Sequence, residues 1–105
     1  MTILEMQPFF DDGTCTIHQV VDDRNQPARP DRWRTVAIRT INNSPVQSYF
    51  AYVQDPATGA YFPAADPNNP SPDDICPPLT TREWTVPAQF QGSSPDEYNW
   101  GARAV

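Results

Sequence analysis

The amino-acid sequence predicts an all-β fold: a small antiparallel β-sandwich, Ig-like or jelly-roll in type, with long proline-rich loops and one short C-terminal helical turn. Three observations carry that expectation. Thirteen prolines punctuate the 105 residues, more than twice what an average usage of about 5% gives, and each lacks the backbone donor a helix interior needs. Residues 14–21 and 79–91 alternate apolar and polar side chains with a period of two, the pattern of a half-buried strand. Three Trp, four Tyr and five Phe are too many for a disordered chain, so the low apolar fraction reads as a thin core under long ordered loops. The length suits a single domain, 1–105, with one core.

The elements follow in order. Residues 2–10 alternate weakly through Leu4 and Met6 and predict a short first strand, closed by a turn at Asp11-Asp12-Gly13. The next strand, 14–21, places Cys15, Ile17, Gln19 and Val21 on one face and Thr14, Thr16, His18 and Val20 on the other. Residues 22–31 read as loop, and 33–42 as a strand with Val36 and Ile38 on one face and Arg39 on the other. A turn at Asn42-Asn43-Ser44-Pro45 leads into a strand over 46–54. Asp55-Pro56-Ala57-Thr58-Gly59 suits a hairpin loop, because Pro56 pre-sets φ and Gly59 accepts positive φ; 60–62 is the return strand.

Six prolines, three aspartates and two asparagines make 63–78 the long loop of the molecule. In 79–91, Trp84, Val86, Ala88 and Phe90 share one face, and Pro87 puts this strand at an edge or a bend. Ser94-Pro95-Asp96-Glu97 has the form of a helix start, with Ser as N-cap and Glu closing a capping box, and Gly101 is expected to stop that helix. Residues 102–105 form a last short strand or a docked tail.

The formal charge is −6, with no lysine, which opposes non-specific attraction to nucleic acid or to anionic membrane. Its distribution is uneven. Arg24, Arg29, Arg32, Arg34 and Arg39 fall in one stretch with a single acid, Asp31, while the remainder carries Arg82 and Arg103 against twelve acids. The opening Met-Thr-Ile-Leu-Glu-Met lacks the basic flank and apolar run of a secretory leader. That is the expectation for a chain made in the cytoplasm, virion-associated or otherwise.

Catalytic chemistry finds little footing. His18 is the only histidine, and no serine sits in a nucleophile-elbow context. Cys15 and His18 have C-x-x-H spacing, but positions i and i+3 of a strand point to opposite faces, so one metal ion cannot hold both without a bulge. A domain this small has little room for the walled cleft that a carboxylate-pair hydrolase needs. No enzyme and no cofactor is expected.

Cys15 and Cys76 are read either as a disulfide, contributing about 4 kcal/mol by loop closure, or as two buried thiols. Aspartates pair at 11–12, 22–23 and 73–74, and Asp66, Asn68, Asp73 and Asp74 supply oxygens of the type calcium takes from loops; solvated loop acids are the plainer explanation. The most distinctive stretch joins Arg24, Arg29, Arg32, Trp33 and Arg34, residue types enriched in interface hot spots. It reads as a docking patch for an acidic protein surface, including acidic loops of an identical copy, or as a plain strand start with solvated arginines.

The expected function is therefore a non-enzymatic structural or assembly protein that docks on a larger complex or on copies of itself. An accessory subunit of a phage particle (decoration, tail or neck) suits these features. Two alternatives stand beside it. One is a carbohydrate-binding module, calcium-assisted or not, in which Tyr61, Trp84 or Trp100 stacks on sugar. The other is a secreted adhesion or toxin-associated domain.

Overall fold

A computed structural model of the chain describes residues 3–5, 8–92 and 94–105. The fold is all-β and antiparallel throughout. Among the described residues eight strands run in chain order: β1 (Ile3–Glu5), β2 (Phe10–Asp11), β3 (Cys15–Asp22), β4 (Arg34–Asn42), β5 (Tyr49–Gln54), β6 (Tyr61–Phe62), β7 (Thr80–Thr85) and β8 (Asn99–Ala104). They form a larger sheet ordered β1-β3-β4-β7, with β2 also paired to β3, and a smaller one ordered β6-β5-β8. Among the described residues no helix is long and apolar enough to cross a membrane.

The alternation in β3 holds from Cys15 through Gln19, with Cys15, Ile17 and Gln19 buried and Thr16 and His18 half-buried. Val20, expected on the opposite face, is buried together with Val21, where the register shifts. The stretch expected as one first strand is instead two pieces on the same partner: β1 lies along Val20–Asp22 and β2 along Thr16–Ile17. Met6, part of the predicted alternation, lies outside the described residues.

The expectation for β4 needs correction. Val20 pairs with Ala37 but Val21 pairs with Thr35, so β4 carries one extra residue, Val36, at a bulge. The bulge resets the parity of the faces. Thr35 turns inward, and its hydroxyl donates to Gln19 Oε1 at 3.0 Å in the interior. Beyond the bulge Ile38, Thr40 and Asn42 are buried.

Tyr49, not Val46, opens β5. The backbone amides of Val46 and Gln47 both donate to Ser44 Oγ, so this segment is committed to a turn. The hairpin after β5 forms as the residues dictate. The Asp55 amide donates to Ala60 O, Asp55 Oδ1 accepts from the Ala57 amide, and Gly59 adopts φ +76°.

Strand β7 ends at Thr85, six residues short of the expected limit. The Val86 amide donates to Val36 O, after which Pro87 has no proton to offer and 88–90 close a 3₁₀ turn. Val86 and Phe90 still reach the core through that turn, whereas Ala88 is exposed.

The predicted helix at the C-terminus is one 3₁₀ turn, Pro95–Glu97, in which Ser94 Oγ accepts from the Asp96 amide. Gly101 stops nothing; it lies in the middle of β8. Six consecutive pairings with β5 outweigh the few hydrogen bonds a two-turn helix gains.

One apolar cluster draws on both sheets: Cys15, Ile17, Ile38, Tyr49, Ala51, Val53, Val86 and Phe90. A chain of rings borders it, Phe9–Trp100–Tyr98–Phe90–Phe62, with successive centroids 5.8 to 6.5 Å apart. The 63–78 loop is tied down along its length. Arg103 Nη2 donates to Pro67 O, Trp84 Nε1 to Asp73 O, Arg82 Nη1 to Ile75 O, and Cys76 makes a two-bond bridge with Tyr49.

Candidate functional site

The arginine–tryptophan segment joins the end of β3 to the start of β4, and the structure separates its members by role. Its entry is built by the buried Asp22 and Asp23, whose Oδ1 atoms accept the backbone amides of Arg24 and Asn25 at 2.8 Å each. Those two residues take φ +52° and +61°, a conformation Asn tolerates and Arg rarely adopts. Arg24 is held there by its guanidinium, whose Nη2 donates to the carbonyls of Gln91 and Gly92 at 3.2 and 3.0 Å.

Arg34 closes the other end. Its Nε and Nη2 donate to Asp22 Oδ2 at 3.2 and 3.0 Å, and the Asp22 side chain is 1% exposed. Trp33 is half-buried, with its indole N–H on Gln26 O at 2.9 Å. Arg24, Trp33 and Arg34 therefore position the loop from its two ends.

Arg29 and Arg32 are displayed to solvent. Arg29 pairs with Asp31 at 3.3 Å across an open surface and holds its carboxyl below the usual range. From Asp23 to Arg32 the backbone closes successive turns, Gln26 N to Asp23 O, Arg29 N to Gln26 O and Arg32 N to Arg29 O, all at 2.9 to 3.0 Å. The segment is thus an ordered, exposed loop presenting two guanidinium groups, with less charge on display than its sequence suggests.

The acidic candidates act mainly as turn builders. Asp66 Oδ1 accepts the Asn68 amide, and Asp74 Oδ2 accepts both the amide and the hydroxyl of Ser71. Asp73 is exposed. Among the described residues no three His, Cys, Asp or Glu side chains gather as a metal site requires. Asp11 and Asp12 serve the β2–β3 turn. Asp12 Oδ1 accepts the amides of Thr14 and Cys15, while Oδ2 accepts the Tyr49 hydroxyl. The Tyr49 bond above all, with those amides, holds the Asp12 carboxyl down at about 2.

Cys15 and Cys76 are unbonded thiols, both fully buried. The Cys76 thiol donates to Thr80 O at 3.2 Å. Burial, then the nearby Asp12 charge and Cys76, pushes the Cys15 thiol up to about 12. His18 lies on the opposite face of β3 from Cys15, in register with Arg39, which pairs with Glu83 at 2.9 Å. No cavity is enclosed among the described residues.

The ring candidates also divide. The Trp84 and Trp100 indoles donate to Asp73 O and Pro95 O, and Trp100 packs on the core. Tyr61 lies on the outer face of the smaller sheet, beside Tyr52.

Sequence reasoning missed a feature at the end of the β3–β4 pair opposite the arginine loop. Buried Asn42 donates through Nδ2 to Gln47 O, Cys76 O and Pro77 O and accepts the Ser44 amide on Oδ1. The loops it gathers display Val46 at 85% and Leu79 at 71% exposure, Leu79 with φ +55°. Asn42-Asn43-Ser44-Pro45 signalled a turn, but nothing local told that its first side chain would reach three carbonyls on two loops. Comparison with known protein families, with curated proteins and with solved structures finds no match for the chain.

Proposed function

We propose that this protein is a non-enzymatic docking subunit that binds an acidic protein surface through its 24–33 loop. One observation carries the reading: two arginines, Arg29 and Arg32, stand exposed on a loop whose ends are fixed by Arg24 and Arg34. A loop already held in one conformation loses little entropy on binding, so its contacts appear more fully as affinity. Arginine forks then pair with carboxylates on the partner. The chain's own surplus of acids, in a protein of net charge −6, makes neighbouring copies a fitting partner. An accessory subunit repeated on a larger particle, such as a phage decoration, tail or neck protein, is the kind of assembly this arrangement suits.

The test is light scattering of the purified chain across ionic strength, with Arg29→Glu/Arg32→Glu as the variant. The expected result is association at low salt that weakens as screening rises, and a variant that stays monomeric. A salt-independent monomer, or a variant that associates as the parent does, overturns the reading. Arg34 is unsuited to this test, because reversing its charge strands Asp22.

A further inference from the structure

We infer that the outer face of the β6-β5-β8 sheet, at Tyr52, Gln54, Tyr61 and Asn99, binds a neutral pyranose sugar. This site is separate from the arginine loop and goes beyond the docking reading.

Directly opposed residues of antiparallel strands share a face, and register places three rows here: Phe50–Arg103, Tyr52–Gly101 and Tyr61–Gln54–Asn99. The other face of β5, with Tyr49, Ala51 and Val53, belongs to the core. Gly101 has no side chain, and the Tyr52 ring occupies the space. A Cβ at Gly101 would meet the Tyr52 hydroxyl first, then Cζ at 2.5 Å and Cε2 at 2.9 Å. The end of the ring therefore lies over the strand at Gly101, and Tyr52 is half-buried. Phe50 beside it is nearly parallel, at 24° and 5.7 Å, and fully buried. Tyr61 stands at 62° to Tyr52 with centroids 6.1 Å apart, so the two phenols form a corner.

The polar groups of this corner are what separate it from the rest of the molecule. Five aromatic polar atoms elsewhere are satisfied internally: the hydroxyls of Tyr49 and Tyr98 and the indoles of Trp33, Trp84 and Trp100. The hydroxyls of Tyr52 and Tyr61 have no hydrogen-bond partner among the described residues. In the same row as Tyr61, the exposed Asn99 donates through Nδ2 to Gln54 Oε1 at 3.4 Å, a long bond that leaves other amide donors and acceptors available.

Charge selects the ligand class. Arg103, the charged residue of these rows, is spent on Pro67 O and on the Phe50 ring, 5.2 Å from its centroid. Two phenols and two amides suit an uncharged ligand with many hydroxyls. The half-buried phenol rings suit the weakly positive C–H face of a pyranose, because an aromatic quadrupole is negative over the ring.

The test is affinity electrophoresis of the full chain in gels containing dextran, xylan or hydroxyethylcellulose, followed by amide NMR titration with cellohexaose. At least one polysaccharide is expected to retard the protein. Tyr61→Ala and Gln54→Ala are expected to weaken that retention about tenfold, and Trp84→Ala to leave it unchanged. Gly101→Ala, which forces the Tyr52 ring off the strand, is expected to weaken it with both tyrosines present. Should Gly101→Ala fail to fold by circular dichroism, Tyr61→Phe, which deletes only a hydroxyl, takes its place with the same expectation. The proposal is overturned if no neutral polysaccharide retards the protein, or if retention survives Tyr61→Ala. It is overturned equally if these residues shift on dilution and not with sugar, which assigns the face to a second copy. Failure here leaves the salt dependence of association untouched, so the two readings fall separately.

Discussion

Arg34 and Asp22 are twelve positions apart, and their cross-strand pairing puts two guanidinium N–H groups on one oxygen of a carboxylate with almost no solvent access. Removing the cation leaves that charge buried and uncompensated, and the Arg34 side chain, one-third exposed, limits the loss. Arg34→Ala is expected to lower stability by about 2 kcal/mol. Arg29→Ala, which removes an open pair at 56% and 64% exposure, is expected to cost less than about 1 kcal/mol. Urea melts of the two variants check this, and equal effects would contradict the separation of roles in the loop.

The Asp12–Tyr49 bond ties the β2–β3 turn to the first residue of β5, one from each sheet. The folded state holds Asp12 down at about 2 against an ordinary value near 3.8. A depressed carboxyl contributes stability that is complete above the ordinary value and is lost as pH falls from about 4 toward 2. Tyr49 shifts upward, chiefly through the same bond, so its contribution is complete below about 10 and is lost as pH rises beyond that. Tyr49→Phe is expected to flatten the acid limb of the stability profile and move the Asp12 carboxyl titration back up, as NMR of the carboxyl carbon would read.

Both thiols should be silent toward a bulky disulfide reagent in the native protein, since neither has accessible surface. Reaction is expected only at the rate of opening. The raised Cys15 thiol adds stability that is complete below about 9 and is lost as pH climbs toward 12. Fast labelling of either cysteine at neutral pH in the folded state would refute this placement.

Asn42→Ala should be among the costlier single changes. It leaves Gln47 O, Cys76 O and Pro77 O without their shared donor, and the Ser44 amide without its acceptor. A loss of about 3 kcal/mol is expected. Hydrogen exchange should quicken first in the Ser44–Ser48 and Cys76–Leu79 segments, and unchanged exchange there would argue against a gathering role.

The features legible in the sequence were those set by neighbours in the chain. The period of two in β3 buried Cys15, Ile17 and Gln19; Pro56 and Gly59 made the β5–β6 hairpin; and proline excluded long helices. Those outcomes depend on φ preferences and on which side of one strand is apolar. Tertiary structure decided the rest, because the partners are remote. Arg24 finds carbonyls 67 and 68 positions away, Arg34 finds Asp22 across a bulge, and Ser94–Glu97 yields to β8 because β5 offers it six pairings. In sequence the five residues of the arginine–tryptophan segment looked alike as a patch. Only long-range hydrogen bonds fixed which of them hold the loop and which face outward. The same holds for Tyr52 and Tyr61, set apart from the other aromatic side chains by bonds that their hydroxyls do not make.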